Sequence, residues 1–433
     1  MANVSVKRWV LGLSVVLAAG LLVPTGRQGV VAQRSSAATL HEDAIVFDGH
    51  EHTINRVFWE GIDPWKAQTA GLWDYARAKQ GGVDVVIEQL RLEDQYTNYN
   101  YAVKQACRLI ETFYRVVEAN RDKMELALSA ADVRRIVGSG KLAVILGIEG
   151  GFDMEGDLDV LRLFYRLGVR LVQFVNHNTT NAYADAATGE QKWGGITDHG
   201  RAVIREMNRL GILMSIAHAS DQTQLQVIEA SAAPVVASHF GLRHFSDNPR
   251  TLSDEALKAL AAKGGLVGIH SSGAYLSQKY VDWTRSRPRS QGAQVGRGEP
   301  LVQSPTQDYG KYIAALDART REEERRKFSR PWRELQQENI DAGAPLPTVE
   351  DWTNQVDYAV KLVGEDSVGI GLDLNGPSLG DLRDFDATSY PRLTEALVAR
   401  GYSPGRVRKI LGENWLRLLD TARVVTPETS PKR

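Results

Sequence analysis

The sequence predicts an α/β chain folded as a (β/α)8, TIM-like barrel with a charged helical insertion between its seventh and eighth strands. Eight short runs rich in Val, Ile and Leu recur from Ala44 onward, each followed by a longer segment of helical periodicity, the pattern of repeated βα units. These runs are almost continuously apolar, as strands covered on both faces must be. Nearly every histidine and acid of chemical interest falls at the carboxyl end of a run, the rim where barrel enzymes keep their sites.

In chain order, Met1 to Ala32 has the layout of an export signal: Lys7 and Arg8, an uncharged apolar run from Trp9 to Thr25, then small residues near Ala32. Pro24 and Arg27 interrupt the run below the length a spanning helix needs. Cleavage is the favoured expectation, giving a periplasmic or extracellular chain without a stable membrane span; retention as an N-terminal anchor is the lesser one. The barrel is assigned to residues 40–423, with strands at Ala44–Gly49, Val83–Glu88, Leu142–Gly147, Arg170–Val175, Ile212–Ala217, Pro234–Ser238, Gly265–Ile269 and Ser367–Leu372. Ser253-Asp254-Glu255 opens a helix that Gly264-Gly265 closes. Thr348 and Asp351 form a capping-box pattern ahead of Trp352, Val356, Ala359, Val360 and Val363, whose helical spacing ends at Gly364. The stretch at about 276–346 is too long for a plain loop. Its run Thr320 to Lys327 reads mainly as a solvated helix face and less as a partner-binding surface. Residues 424–433 are a polar tail.

Composition narrows the function. The 433 residues are 43% hydrophobic and 24% charged, enough to bury a large core. With 52 Lys and Arg against 53 Asp and Glu there is no basic field to gather nucleic acid. Cys107 is the only cysteine, so an intrachain disulfide, a cysteine zinc site and an iron–sulfur cluster are excluded. Any metal must rest on histidines and carboxylates.

Those residues are placed to do so. His50-Glu51-His52 closes the first strand, Glu149 the third, His177 the fourth, His218 the fifth, His239 the sixth and Asp373 the eighth, so a closed parallel barrel brings them to one rim. Five ligands, His50, His52, Glu149, His218 and His239, exceed the need of one zinc, and a carboxylate can bridge two cations. In an extended chain the first and third residues of His-Glu-His point to one side, leaving Glu51 to face away. His270 ends the seventh strand, where packing is a commoner role than substrate contact. His199 reads as surface or cap, and His41 and His244 as loop residues without a placed partner. Gly147, Gly150 and Gly151 match no phosphate-binding loop and read as space around Glu149.

Phe47-Asp48-Gly49-His50, Gly147-Ile148-Glu149-Gly150-Gly151, Ile216-Ala217-His218-Ala219-Ser220, Ala237-Ser238-His239 and Val368 to Asp373 together resemble the membrane (renal) dipeptidase family in order and spacing. The resemblance spans about Ala44 to Leu419 apart from the charged insertion. It implies a zinc-dependent dipeptidase, often dimeric, with two zinc ions held by His50, Glu149, His218 and His239 and bridged by Glu149. It further implies that His177 stabilises the developing oxyanion, that Arg250 and Tyr275 hold the substrate's terminal carboxylate, and that Asp48 orients the loop carrying His50. Two positions depart: His52 stands where the family has Asp, leaving the site one unit more positive, and Leu374-Asn375 replaces a commoner Phe-Asp.

On this footing the expected reaction is attack by a metal-bridging hydroxide on the scissile carbonyl, with Asp373 moving the proton to the departing amine. A role for Asp373 in orienting a ligand histidine stays open. Two other functions stay open: a binuclear amidohydrolase acting on a cyclic or non-peptide amide, and a catalytically inactive exported binding module.

Overall fold

The computed structural model describes residues 37–96, 101–287, 309–375 and 381–424. The expected export signal and the polar tail from residue 425 onward lie outside the described residues. Among the described residues there are nine strands: β1 Phe47–Glu51, β2 Val85–Arg91, β3 Met124–Leu126, β4 Leu142–Glu149, β5 Val169–Gln173, β6 Leu213–Ser215, β7 Val235–Phe240, β8 Leu266–Ile269 and β9 Val368–Ile370.

Eight of them close into a parallel barrel in the order β1-β2-β4-β5-β6-β7-β8-β9, with β9 pairing back to β1 through Asp48 and Ile370. The extra strand, β3, pairs only with the first residues of β4, from Leu142 to Val144, while β5 takes the same edge from Leu146 onward. Its three residues, Met-Glu-Leu, are too few to form an apolar run, which is why the sequence pattern passes over it.

Alternate strand residues divide into two cores. Phe47, Val85, Ile87, Ala143, Ile145, Leu171, Leu213, Val236 and Leu266 form one buried cluster with Trp415. Their alternates, among them Val46, Val86, Val144, Val172, Met214, Val235 and Val267, join Leu109, Phe113, Leu161, Ile204 and Leu260 of the helices. The first set fills the barrel interior and the second binds the helical ring to it. Trp415 lies so close to β1 that a Cβ on Gly49 would fall 2.0 Å from its ring, and its indole N–H donates to the Ile370 carbonyl at 3.0 Å.

Helix punctuation follows the sequence signals. Ser253 accepts the Ala256 N–H ahead of helix Asp254–Ala262, and Thr348 forms a capping box with Asp351 ahead of helix Val349–Val363. Between β8 and β9 the chain forms further helices, including Tyr309–Lys327 and Trp332–Asp341. The charged run is less solvated than its composition suggests. Glu322, Arg325 and Arg326 are exposed, but Thr320 and Glu324 are buried, and Leu316 joins an aromatic cluster with Trp59, Tyr96 and Tyr101. Ion pairs fix this face: Arg91 to Glu324 at 2.5 Å and Arg108 to Asp317 at 2.6 Å, with the Tyr96 hydroxyl donating to Asp317 at 2.7 Å. The helix is therefore docked on the segment that follows β2, beside the carboxyl rim.

Candidate metal centre

Strand ends deliver the ligands. Pairing slips between Asp48 and Glu51 in β1 and between Ala237 and Phe240 in β7, so a local irregularity re-aims the chain on either side of His50 and His239. Asp48 clasps the closure of the barrel: its carboxylate accepts the N–H groups of His50 at 2.9 Å and Leu372 at 3.3 Å, and the hydroxyl of Tyr390. Burial pushes the Asp48 carboxyl up to about 7. His52 lies one residue beyond β1 and starts helix Thr53–Glu60. Glu51 turns away from its neighbours and accepts the Leu374 N–H at 2.9 Å, as its place in the triplet requires.

Glu149, 3% exposed, sits at the middle of five imidazoles. The His52 and His218 Nε2 atoms lie 3.0 Å from its oxygens, His177 Nε2 3.2 Å, and His50 and His239 Nε2 3.6 Å. His50 and His52 present their Nε2 atoms 3.1 Å apart, and those of His218 and His239 are separated by 3.3 Å. Space for this comes from Gly150, φ +99°, where a Cβ would lie 2.8 Å from the Leu92 carbonyl and 3.1 Å from His177.

Outer contacts decide the tautomers. The Nδ1 of His52 faces the Gln89 carbonyl at 2.8 Å and that of His218 faces the His177 carbonyl at 3.3 Å, so both carry their proton there. The His218 ring, held neutral, then points an Nε2 lone pair at a carboxylate oxygen, acceptor against acceptor, and beside His52 the same demand for positive charge falls on Nε2 itself, to be met by a proton or by a cation in its place. Three groups of potential ligands satisfy that need: His50, His52 and Glu149; Glu149, His177 and His218; and His50, His239 and Asp373. Glu149 Oε2, His50 Nδ1 and Asp373 Oδ1 are buried without a hydrogen-bond partner. The donor set fits a divalent metal with N and O preference.

The electrostatics agree. Burial would raise the Glu149 carboxyl, but His177, His52 and His50 around it hold it well below the usual carboxylate range. Burial would lower His52, yet Glu149 and Asp373 hold it well above the usual histidine range. Burial and then Arg250 push His218 far down, and burial and then His50 do the same to His239.

A match to the profile of the membrane dipeptidases, peptidase family M19, covers residues 34–432. The chain belongs to this family. It is accordingly a hydrolase of the metallo-dipeptidase class. Relatives include dipeptidase verJ of Clonostachys rogersoniana, 25% identical over 90% of this chain and 88% of the relative. Dipeptidase tcpJ of Claviceps purpurea is 26% identical over 86% of this chain and 76% of its own. Among solved structures, the probable dipeptidase PvdM from Pseudomonas aeruginosa superposes with a TM-score of 0.70 at 22% identity, over 92% of this chain and 100% of that one. A metallopeptidase from Rhodobacter sphaeroides, liganded with a phosphinate mimic of L-Ala-D-Ala, gives 0.64 at 22% identity over 88% and 100%. These likenesses carry the barrel fold.

The remaining residues expected of a family site lie around the same cavity. Asp373 Oδ1 is 3.4 Å from His52 Nε2. Arg250 Nη2 comes within 3.4 Å of His239 Nε2, its guanidinium lies 5.5 Å from the Tyr275 ring centroid, and its buried Nε has no partner. His177, partly exposed, faces Asp94 at 3.8 Å through Nδ1. His41 and His244 differ from expectation: His244 has a partner, stacking on the Tyr358 ring with centroids 4.2 Å apart. His41 lies in a helix, 5% exposed, and ties Thr394 Oγ1 at 2.7 Å to the Gly81 carbonyl at 2.9 Å, a structural pin invisible in local sequence. His270 is 2% exposed with Nε2 3.4 Å from Asp373 Oδ2, and its place at a barrel strand end was the signal to weight.

Proposed function

We propose that this chain is an exported zinc dipeptidase that cleaves a dipeptide-sized substrate with a free carboxylate, using two zinc ions held by His50, His52, Glu149, His218 and His239. The observation that carries this reading is the buried Glu149 carboxylate shared by two groups of possible ligands, with the Nε2 atoms of His52 and His218 both 3.0 Å away. When bound, the ions supply Lewis acidity, polarising the scissile carbonyl and acidifying water near neutrality.

The chain's own groups do the rest. Arg250 offers its planar fork of donors to the terminal carboxylate, with Tyr275 against the guanidinium, and so orients the scissile bond. His177, partly exposed at the cavity edge, donates to the carbonyl oxygen as negative charge builds there. Water adds to the carbonyl carbon and the C–N bond breaks; Asp373 accepts one proton of the water and returns it to the departing nitrogen, and the second follows to the same amine, giving one carboxylate and one ammonium group. Burial would raise Asp373, but His270 and His52 hold it well below the usual carboxylate range.

The test is metal content per chain, together with hydrolysis of L-L and L-D dipeptides before and after chelation. About two zincs and chelator-sensitive cleavage support the proposal. Two zincs with no cleavage transfer it to a cyclic or non-peptide amide, and no zinc with no cleavage to a binding module. Export and a homodimeric state belong to the same proposal. They are checked by the N-terminus of the mature chain and by sedimentation.

A further inference from the structure

His270 is a buried polar side chain beside Asp373 to which the reaction above gives no step of its own. Its Nδ1 accepts the N–H groups of Ser271 at 2.8 Å and Ser272 at 3.0 Å. A nitrogen that accepts twice carries no proton, so the neutral ring holds its single proton on Nε2. That atom lies 3.4 Å from Asp373 Oδ2. The ring has no room to turn away: Tyr275 packs on one side with centroids 4.5 Å apart, and His239 lies 5.7 Å away. Among the described residues, His52, in the ligand set, and His270 come nearest the Asp373 carboxylate, both at 3.4 Å, with His50 and His239 within 4.8 Å.

We infer that His270 is a positioning residue for Asp373: its Nε2–H holds Oδ2 so that Oδ1 stays directed at the reacting water and the departing amine. The inference rests on the dipeptidase reading for its kinetic consequence and on the ring contacts for its structural one. The same contacts argue that His270 is no metal ligand, since one nitrogen is occupied by backbone donors and the other carries the proton. A carboxylate free to rotate meets the proton in fewer of its orientations, so the loss falls on kcat and leaves substrate binding intact.

Two isosteric variants separate the ring's functions. In His270→Asn the amide oxygen can keep the two backbone N–H partners, but nothing reaches Asp373. In His270→Gln the amide nitrogen stands near the place of Nε2 and restores a donor. The expected result is zinc content equal to the parent in both, kcat lower by about 10- to 100-fold in His270→Asn with KM within about twofold, and partial recovery in His270→Gln. Loss of zinc in His270→Asn would make His270 a ligand and overturn the inference. Unchanged kcat, or a rise confined to KM, would do so as well. Nitrogen NMR of the parent gives a readout independent of substrate: the Nε2–H tautomer supports the inference, and an Nδ1–H or doubly protonated ring sinks it. A parent enzyme that cleaves no dipeptide refutes the functional reading instead, and the NMR result then decides the positioning contact by itself.

Discussion

Arg250 gives the sharpest test of substrate class. Its Nε is buried without a partner and its Nη2 comes within 3.4 Å of His239 Nε2, so the fork keeps an unused donor beside the candidate ligands. A bidentate pair with a carboxylate contributes about 3–4 kcal/mol, which corresponds to a loss of about 10²- to 10³-fold in kcat/KM when it is removed. Replacing Arg250 by Met keeps much of the packing against Tyr275 and deletes the charge. The assay is a cycle: kcat/KM for a dipeptide and for its C-terminal amide, each with the parent and with Arg250→Met. Arg250 also depresses His218, an effect common to both substrates that cancels in the cycle. If the clamp is real, amidation costs the parent about as much as the mutation does, and costs the variant almost nothing. Independent losses that multiply would show that Arg250 serves the site without touching the carboxylate.

Other expectations concern the metal ligands and the insertion. His52→Asp, the family's usual residue, sets a third carboxylate beside Glu149 and Asp373, where contacts of 3.0 and 3.4 Å imply a repulsion of about 5 kcal/mol from each at an effective dielectric of about 20 before protonation relieves it. Melting in chelator should therefore fall by several degrees while the zinc-loaded form changes little; an equal shift in both would remove His52 from the ligand set. Asp317→Ala releases Arg108 and the Tyr96 hydroxyl and should cost about 1–3 kcal/mol, read as urea unfolding and as earlier proteolysis within 309–327. Arg91 and Lys327 offset the burial of Glu324 and hold it at about 2, against 4.5 for an ordinary glutamate. Its stabilisation is complete above 4.5 and disappears as pH falls towards 2, so proteolysis of the helix should rise across that window in the parent and not in Glu324→Gln. Lys327, lowered to about 8 by burial and Arg91, acts oppositely: the cost of its charge is relieved as pH rises from 8 to 10.5.

The barrel was legible because burial on both faces leaves an apolar run for each strand, and because its chemistry sits at one end of every run. His50 and Glu51 show how far local geometry reads: alternation along an extended chain separates the ligand from the residue that binds the Leu374 N–H. Contacts between distant segments leave no such trace. Glu324 sits in a run of charges and is buried only because Arg91, 233 residues away in sequence, meets it. His41 is ordinary by pattern and becomes a pin only through Thr394 and Gly81. His270 lay in the right place, but its tautomer depends on two backbone donors that only the folded turn supplies.

Backbone conformation adds a constraint that no residue pattern shows. His218 and Asp373 both adopt the left-handed region, with φ of 65° and 52°. For a residue with a Cβ this costs about 1 kcal/mol or more, and Asp tolerates it better than His. Neither turn is left loose. Asp373 donates its N–H to the His50 carbonyl at 3.2 Å, while the next residue, Leu374, donates to Glu51 at 2.9 Å. The end of β9 is thus bound to the end of β1, the strand that delivers His50 and His52. His218 is followed by Ala219, whose N–H returns to the Ile216 carbonyl at 3.2 Å. Strain of this kind persists only where surrounding contacts over-determine it. Around Asp373 those contacts run between the ends of β9 and β1, so the packed barrel below holds this part of the rim in a conformation its residues would not choose alone. A site assembled this way is shaped before metal or substrate arrives, and its precision draws on the rigidity of strands rather than on loops.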